Sequence, residues 1–125
     1  MEVELGSINS IWLANHGYKK YLEYAAELKK EFPNKPIVAF IVGFSHEDFI
    51  ELVTAFQLDQ NVDVLEVNLS CPNVIGKPQI AYDFEGSDIL LKKIFSIPGS
   101  KPIGLKLPPY FDPIHTQMMA EVLKK

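Results

Sequence analysis

Short apolar runs alternate with amphipathic helical stretches along this chain, and this alternation constrains the fold more than any other feature. Residues 36–43 form a continuous apolar run of strand length. A helix is predicted over 46–60, with Ser45 as its N-cap and Glu47 and Asp48 in its first turn. Strands that are apolar throughout and alternate with helices imply a parallel sheet with right-handed crossovers.

The pattern predicts four consecutive strand–helix units. The predicted strands cover 3–9, 36–43, 62–70 and 101–107, and the predicted helices cover 18–32, 46–60, 86–97 and the stretch from Pro113 onward, capped by Asp112. Four βα units are half of a TIM (β/α)₈ barrel, which needs about 250 residues when complete. The alternative is an open doubly wound sheet, although no glycine-rich dinucleotide-binding sequence follows the first strand.

Composition narrows the possible partners. The 125 residues are 47% hydrophobic and 22% charged, which predicts one soluble globular piece covering 1–125. The net charge of −4, with lysine as the only basic residue type, argues against a nucleic-acid partner. We expect no membrane span, because no apolar run reaches about 18 residues. Since the N-terminus lacks the pattern of a signal peptide, we expect a cytoplasmic protein.

The only cysteine, Cys71, follows the third predicted strand and has Asn68 and Asn73 on either side of it. Strand ends that open into loops are where α/β enzymes place their chemistry. A thiol can exchange a proton, and side-chain amides can hold a flat polar ligand. The alternative is that Cys71 is a small buried apolar residue and that the asparagines satisfy local backbone groups. With one cysteine and three scattered histidines, we expect no metal site.

The segments NLSCPNVIGKPQIAYDF (68–84), GLKLPPYFD (104–112) and GSINS (6–10) together resemble dihydroorotate dehydrogenase, most closely its class 1A, fumarate-using, cytosolic branch. The resemblance extends over essentially the whole chain, which looks like the middle part of a family member. It implies an FMN-dependent barrel that oxidises (S)-dihydroorotate to orotate in pyrimidine (UMP) biosynthesis, with fumarate as acceptor. Family members of this branch form homodimers, so the resemblance also implies a homo-oligomer.

The resemblance also implies roles for individual residues. Cys71 matches the base that removes a proton from the substrate, on a loop that would act as a lid. The residues that match substrate ligands or line that site are Asn9, Leu13, Asn68 and Asn73, and the residues placed at the flavin are Lys106 and Asn68. Where the family usually has Met-Gly-Leu-Pro-Asn, this chain has Trp12 in place of the glycine. The competing hypothesis is a catalytically inactive half-barrel that acts only by pairing with itself or with another chain.

Overall fold

The computed structural model describes residues 2–3, 6–7, 15–71 and 78–124. The strands are β1 (Glu2–Val3), β2 (Gly6–Ser7), β3 (Val38–Ile41), β4 (Val64–Asn68) and β5 (Ile103–Lys106). The helices are α1 (Tyr18–Glu31), α2 (His46–Leu58), α3 (Phe84–Phe95) and α4 (Pro113–Leu123), with a short 3₁₀ helix at Ile80–Tyr82. The described part of the chain is therefore an α/β protein.

Strands β3, β4 and β5 form a parallel sheet in which sequence order and spatial order agree. Val38 pairs with Val64 and Leu65 pairs with Ile103, so the three strands are joined by two crossover connections that contain α2 and α3. Helix α3 contacts both α2 and α4. The order of these three strands contains no reversal, unlike the switch point that defines a doubly wound sheet. This arrangement is consistent with part of a TIM-barrel-like fold.

The first of the four predicted units is not confirmed. Glu2–Val3 pairs antiparallel with Gly6–Ser7 in a separate two-stranded ladder, instead of joining the parallel sheet as one strand over 3–9. An alternating apolar and polar sequence fits a hairpin as well as a single strand, because both have a side-chain period of two. The described residues therefore contain three parallel strands where the sequence predicted four.

The two faces of the parallel sheet have different environments. Leu65 and Val67 on β4 are fully buried and belong to one apolar cluster with Phe49 and Val53 of α2. Burying such a side chain contributes about 1.5–3 kcal/mol. On the opposite face Phe40 remains 48% exposed. The helices thus cover one face, and the other face is open among the described residues.

Local hydrogen bonds determine where the helices begin. The predicted N-cap Ser45 is confirmed, since its hydroxyl accepts from the Asp48 N–H at 3.1 Å and Asp48 accepts from the Ser45 N–H at 3.1 Å. The predicted cap Asp112 is also confirmed, because its carboxylate accepts from the Ile114 N–H. Both helices begin where the sequence predicted them.

Helix α3 begins two residues before the predicted start at Gly86. Asp83 is the N-cap and accepts from the Gly86 N–H at 2.9 Å. A Cβ at Gly86 would lie 2.4 Å from the Asp83 carboxylate, so the glycine permits this cap. The helix buries Leu90, Leu91 and Ile94, whereas Ile89 and Phe95 are exposed.

Helix α1 forms where the sequence predicted it, but its apolar face is only partly covered. Ala25 is buried, whereas Tyr21 is 42% exposed and Leu28 is 47% exposed. The helix is held to the sheet at its C-terminal end by the ion pair between Lys29 and Asp63, at 2.7 Å. Asp63 also accepts a hydrogen bond from the Ile37 N–H. An apolar groove therefore remains between α1 and β3.

Candidate active site

The C-terminal ends of β4 and β5 bring Asn68 and Lys106 side by side. The two residues are register partners in the parallel ladder. Partners in a ladder project to the same face of the sheet, and here that is the face opposite the helices. Phe40 and Glu66 are also register partners and lie on the same face. The same face of the sheet thus carries an amide, an ammonium group, a carboxylate and an aromatic ring.

Asn68 is buried and structurally engaged. Its Oδ1 accepts from the Ser70 N–H at 3.0 Å and from the Ser70 hydroxyl at 3.2 Å, which forms a turn directly after β4. The sequence left open that the asparagines satisfy local backbone groups, and the side-chain oxygen of Asn68 does so. Recognition of a ligand by this side chain rests on its amide N–H groups.

Cys71 follows this turn and is half-buried, with its thiol free of any disulfide. A small cavity of about 40 Å³ lies beside it, between the ends of β3 and β4. The lining residues are Val42, Gly43, Phe44, Phe49, Asn68, Leu69, Cys71, Pro78, Gln79 and Ile80. A Cβ at Gly43 would lie 2.9 Å from Phe49, so the glycine allows the helix to approach the strand end. The thiol therefore adjoins both Asn68 and an apolar wall.

Lys106 is exposed, and its ammonium nitrogen lies 5.4 Å from the centroid of the Phe40 ring. At this distance the ring attracts the cation modestly, by about 0.5–1 kcal/mol for an exposed pair. Within residues 15–71 and 78–124, no carboxylate forms an ion pair with Lys106. Its charge is therefore available to a negatively charged ligand on the open face.

Two tyrosines connect the loop after β4 to the loop after β5. The Tyr110 hydroxyl donates to the Ala81 carbonyl at 2.9 Å, and the Tyr82 hydroxyl donates to the Pro109 carbonyl at 3.1 Å. Their rings meet edge to face at 5.9 Å. Burial, with a smaller contribution from Tyr82, raises the pKa of Tyr110 above its ordinary value of 10.0, so the hydroxyl remains a donor at neutral pH.

Sequence reasoning missed this tyrosine pair. Tyr82 and Tyr110 each belong to a segment that carries the family resemblance, yet neither received a role. Tyr110 directly follows Pro108 and Pro109. This position could have indicated a fixed role for it, because a rigid proline turn holds the next side chain in one direction.

A larger cavity, of about 360 Å³, is the groove between α1 and β3. It is lined mainly by apolar and aromatic side chains, among them Tyr21, Leu28, Val38 and Phe56. Of the sequence-predicted site residues that the structure describes, none lines it. We place the candidate site at the strand ends despite the smaller cavity there, because the polar groups that can act on a ligand converge at the strand ends.

Other kinds of site receive no support from the described residues. They contain no group of three or more His, Cys, Asp or Glu side chains placed to hold a metal ion. Among the same residues, no helix has the length and apolar character needed to cross a membrane.

The structure places three of the predicted site residues together and leaves three undescribed. Asn68, Cys71 and Lys106 lie at the adjacent ends of β4 and β5. Asn9, Leu13 and Asn73 fall outside the described residues, so their roles stay predictions. The fold and this cluster define a class: parallel βα proteins with a thiol, an amide and an ammonium group at the strand ends.

Comparison with known proteins identifies the family within that class. The family model for dihydroorotate dehydrogenase matches residues 1–125. A putative dihydroorotate dehydrogenase A (fumarate) of Streptococcus equi subsp. equi is 48% identical over 124 residues, which is 99% of this chain and 40% of that relative. Dihydroorotate dehydrogenase A (fumarate) of Lactococcus lactis subsp. cremoris is 46% identical over 126 residues, covering 100% of this chain and 40% of that relative.

The chain belongs to the dihydroorotate dehydrogenase family. It spans about 40% of the length of these curated relatives. The family resemblance predicted from residues 68–84 and 104–112 is therefore confirmed.

Proposed function

We propose that this chain provides part of the active site of a dihydroorotate-oxidising flavoenzyme of the fumarate type, built on a (β/α)₈ barrel. The single observation that carries the proposal is the pairing of Asn68 with Lys106 at adjacent strand ends, with Cys71 following Asn68 by one turn. Parallel strand ends of this kind are where barrel enzymes place their catalytic groups.

Cys71 acts as the base in this proposal. Its thiolate takes a proton from the carbon next to the ring carbonyl of dihydroorotate while hydride leaves the adjacent carbon. The electron pair left behind forms the C=C bond of orotate. Asn68 holds the ring by donating its amide N–H groups, because its oxygen is occupied by Ser70. Asn9, Leu13 and Asn73 complete the substrate site.

The open face of the sheet suits one edge of FMN. Lys106 supplies a positive charge beside Asn68. Gly104, two residues earlier on β5, leaves space above the sheet, since a Cβ there would meet, among the described residues, only the Leu65 carbonyl, at 3.8 Å. When bound, FMN supplies the acceptor for the hydride. The task of Lys106 is to favour negative charge on the ring that it faces.

The wider assignments follow from the same proposal. The substrates are small anions, dihydroorotate and orotate, with fumarate as the final acceptor, and the reaction belongs to cytoplasmic UMP synthesis. A homo-oligomer is proposed on the family resemblance.

The test is anaerobic reduction of bound flavin. We expect the chain to take up FMN and dihydroorotate to bleach it. The Cys71→Ser variant should retain FMN but reduce it at least about a hundredfold more slowly, as expected when a general base is lost. Retention of the original rate by the variant would remove Cys71 from the base role. Failure of the unmodified chain to take up FMN would contradict autonomous catalysis.

A second candidate function is association through the free edge of β3, and the groove beside α1 favours it. Strand β3 pairs only with β4 among the described strands, and Val38 on this edge is 55% exposed. An unpaired edge beside an apolar groove suits addition of a strand from a second copy of the chain.

Sedimentation velocity tests this candidate. We expect the unmodified chain to sediment as a dimer and Val38→Lys to sediment as a monomer, because the lysine places a charge at the edge. Ile114→Lys, at a 54% exposed position on α4, is the matched control and should remain a dimer. A chain that is monomeric at every concentration would exclude this function.

A further inference from the structure

Four residues form a closed hydrogen-bonded circuit at the base of the segment that carries Cys71. The Tyr110 hydroxyl donates to the Ala81 carbonyl at 2.9 Å, the Ala81 N–H donates to the Leu69 carbonyl at 3.0 Å, and the Leu69 N–H donates to the Lys106 carbonyl at 3.1 Å. The backbone from Lys106 to Tyr110 closes the circuit. Each of the four residues is therefore held by two connections within the circuit.

The circuit brings together both ends of the segment 70–80. Leu69 and Ala81 are bonded directly, and both are buried, with exposed fractions of 1% and 0%. Cys71 lies two residues beyond Leu69, so its backbone position depends on this junction. Because the Leu69 N–H also bonds the Lys106 carbonyl, the same junction ties the backbone ahead of Cys71 to the end of β5.

We propose that Tyr110 is a positioning residue for Cys71, and that its hydroxyl holds the junction of Ala81 and Leu69 in the geometry that the thiol requires. This inference deepens the proposed function, because it rests on Cys71 being the reacting thiol. Tyr110 touches neither substrate nor cofactor in this role. It acts through Ala81 and Leu69.

The hydroxyl can be tested separately from the ring. The Tyr110 ring also packs against Phe84, with centroids 6.0 Å apart, and against His115, at 6.4 Å. A phenylalanine at this position keeps these ring contacts and removes only the hydrogen bond to Ala81. The hydrogen bond from the Tyr82 hydroxyl to the Pro109 carbonyl can be removed as well, and Tyr82 is the more exposed of the two tyrosines.

The experiment measures Tyr110→Phe in the full chain by amide hydrogen exchange and by alkylation of Cys71 with iodoacetamide across pH. Since the chain has one cysteine, the alkylation signal is specific. Without the Tyr110 hydroxyl the junction of Ala81 and Leu69 should open more readily, by the free energy of one hydrogen bond of ordinary strength. We therefore expect the Ala81 amide to exchange about fivefold faster. The Val67 amide in the core strand should be unchanged, and Cys71 should be alkylated faster at each pH.

Tyr24→Phe is the matched control, because its hydroxyl bonds His16, just before α1, and takes no part in the circuit. If Tyr110→Phe does not fold, Tyr82→Phe should give a smaller change in the same direction. Ala81 exchange and Cys71 alkylation equal to those of the control would overturn the inference. Uniformly faster exchange, Val67 included, would also overturn it, by showing a general loss of stability. Neither measurement needs turnover, so these outcomes are independent of the flavin-reduction test.

Discussion

Asn68 on β4 and Lys106 on β5 are direct register partners at the C-terminal ends of two parallel strands. The pairing gives the two side chains one common face, opposite the helices. The side chain of Asn68 also has two separate tasks. The oxygen stabilises the turn at Ser70, and the proposed function gives ligand recognition to the amide hydrogens.

Substitution of Asn68 should separate these tasks. Asn68→Asp keeps an oxygen that accepts from Ser70, so we expect stability near that of the unmodified chain but weaker orotate binding. Asn68→Leu leaves the Ser70 N–H and hydroxyl without their acceptor and should lower the free energy of unfolding by about 1–3 kcal/mol. Urea unfolding and orotate titration measure the two effects. Equal stability of the two variants would contradict the structural role of the oxygen.

Removal of the charge at Lys106 should weaken flavin binding. We expect Lys106→Met to lower FMN affinity about tenfold, since a hydrogen bond to a charged group is worth ~1.5 kcal/mol or more. Lys124→Met is the control, because it removes an equal charge from an exposed pair with Glu121 on α4. FMN fluorescence titration compares the variants. Similar affinities in both would exclude Lys106 from the flavin site.

Gln57 should be important for stability rather than for the site. Its buried side-chain amide forms hydrogen bonds with both backbone polar groups of Lys101. Nε2 donates to the carbonyl at 3.1 Å, and Oε1 accepts from the N–H at 3.2 Å. Gln57→Leu should therefore cost about 1–3 kcal/mol. Gln60→Leu, at an exposed position just after α2, should have little effect in the same urea experiment. A small effect of Gln57→Leu would show that water replaces the side chain.

The ion pair of Asp63 should make stability depend on acid pH. Hydrogen bonding to Lys29, and next the Ile37 N–H, lower the pKa of Asp63 below its ordinary value of 3.8. A lowered pKa in the folded state stabilises the fold above the ordinary value, and this contribution is lost as the pH falls from about 5 through the lowered value.

Asp63→Asn should therefore be less stable than the unmodified chain at neutral pH, and the two should converge as the pH falls below the lowered pKa of Asp63. Thermal unfolding across pH measures the difference. Glu31→Gln, at the exposed end of α1, is the control and should follow the unmodified chain. A stability difference that is constant from pH 7 to acid pH would show that charge is not the cause.

Features that depend on neighbouring residues were predictable from the sequence. The caps Ser45 and Asp112 were predicted because a cap is a hydrogen bond between residues two or three positions apart. The three parallel strands were predicted because apolar runs of strand length alternate with amphipathic helical stretches along the sequence. Cys71 was singled out as the only cysteine, at the end of a predicted strand, whereas its specific role and that of Lys106 came from the motifs of the family resemblance, which extend over 68–84 and 104–112.

Other features were not predictable in this way. The antiparallel ladder of Glu2–Val3 with Gly6–Ser7 has the same period as a single strand. The start of α3 was predicted at about Gly86, whereas the Asp83 cap places it at Phe84 and requires a residue without a Cβ at position 86. The bond from Tyr110 to Ala81 joins residues 29 positions apart, and no local pattern encodes it.

The sequence by itself determined the alternation of strands and helices, the caps Ser45 and Asp112 and the family, because these depend on side-chain period, on short-range hydrogen bonds and on motif identity. Only the tertiary structure decided that Asn68 and Lys106 share one face and that Tyr110 restrains the base of the Cys71 segment. The physical reason is register: the alignment of β4 against β5 sets which distant side chains meet, and it results from packing of the whole sheet against its helices.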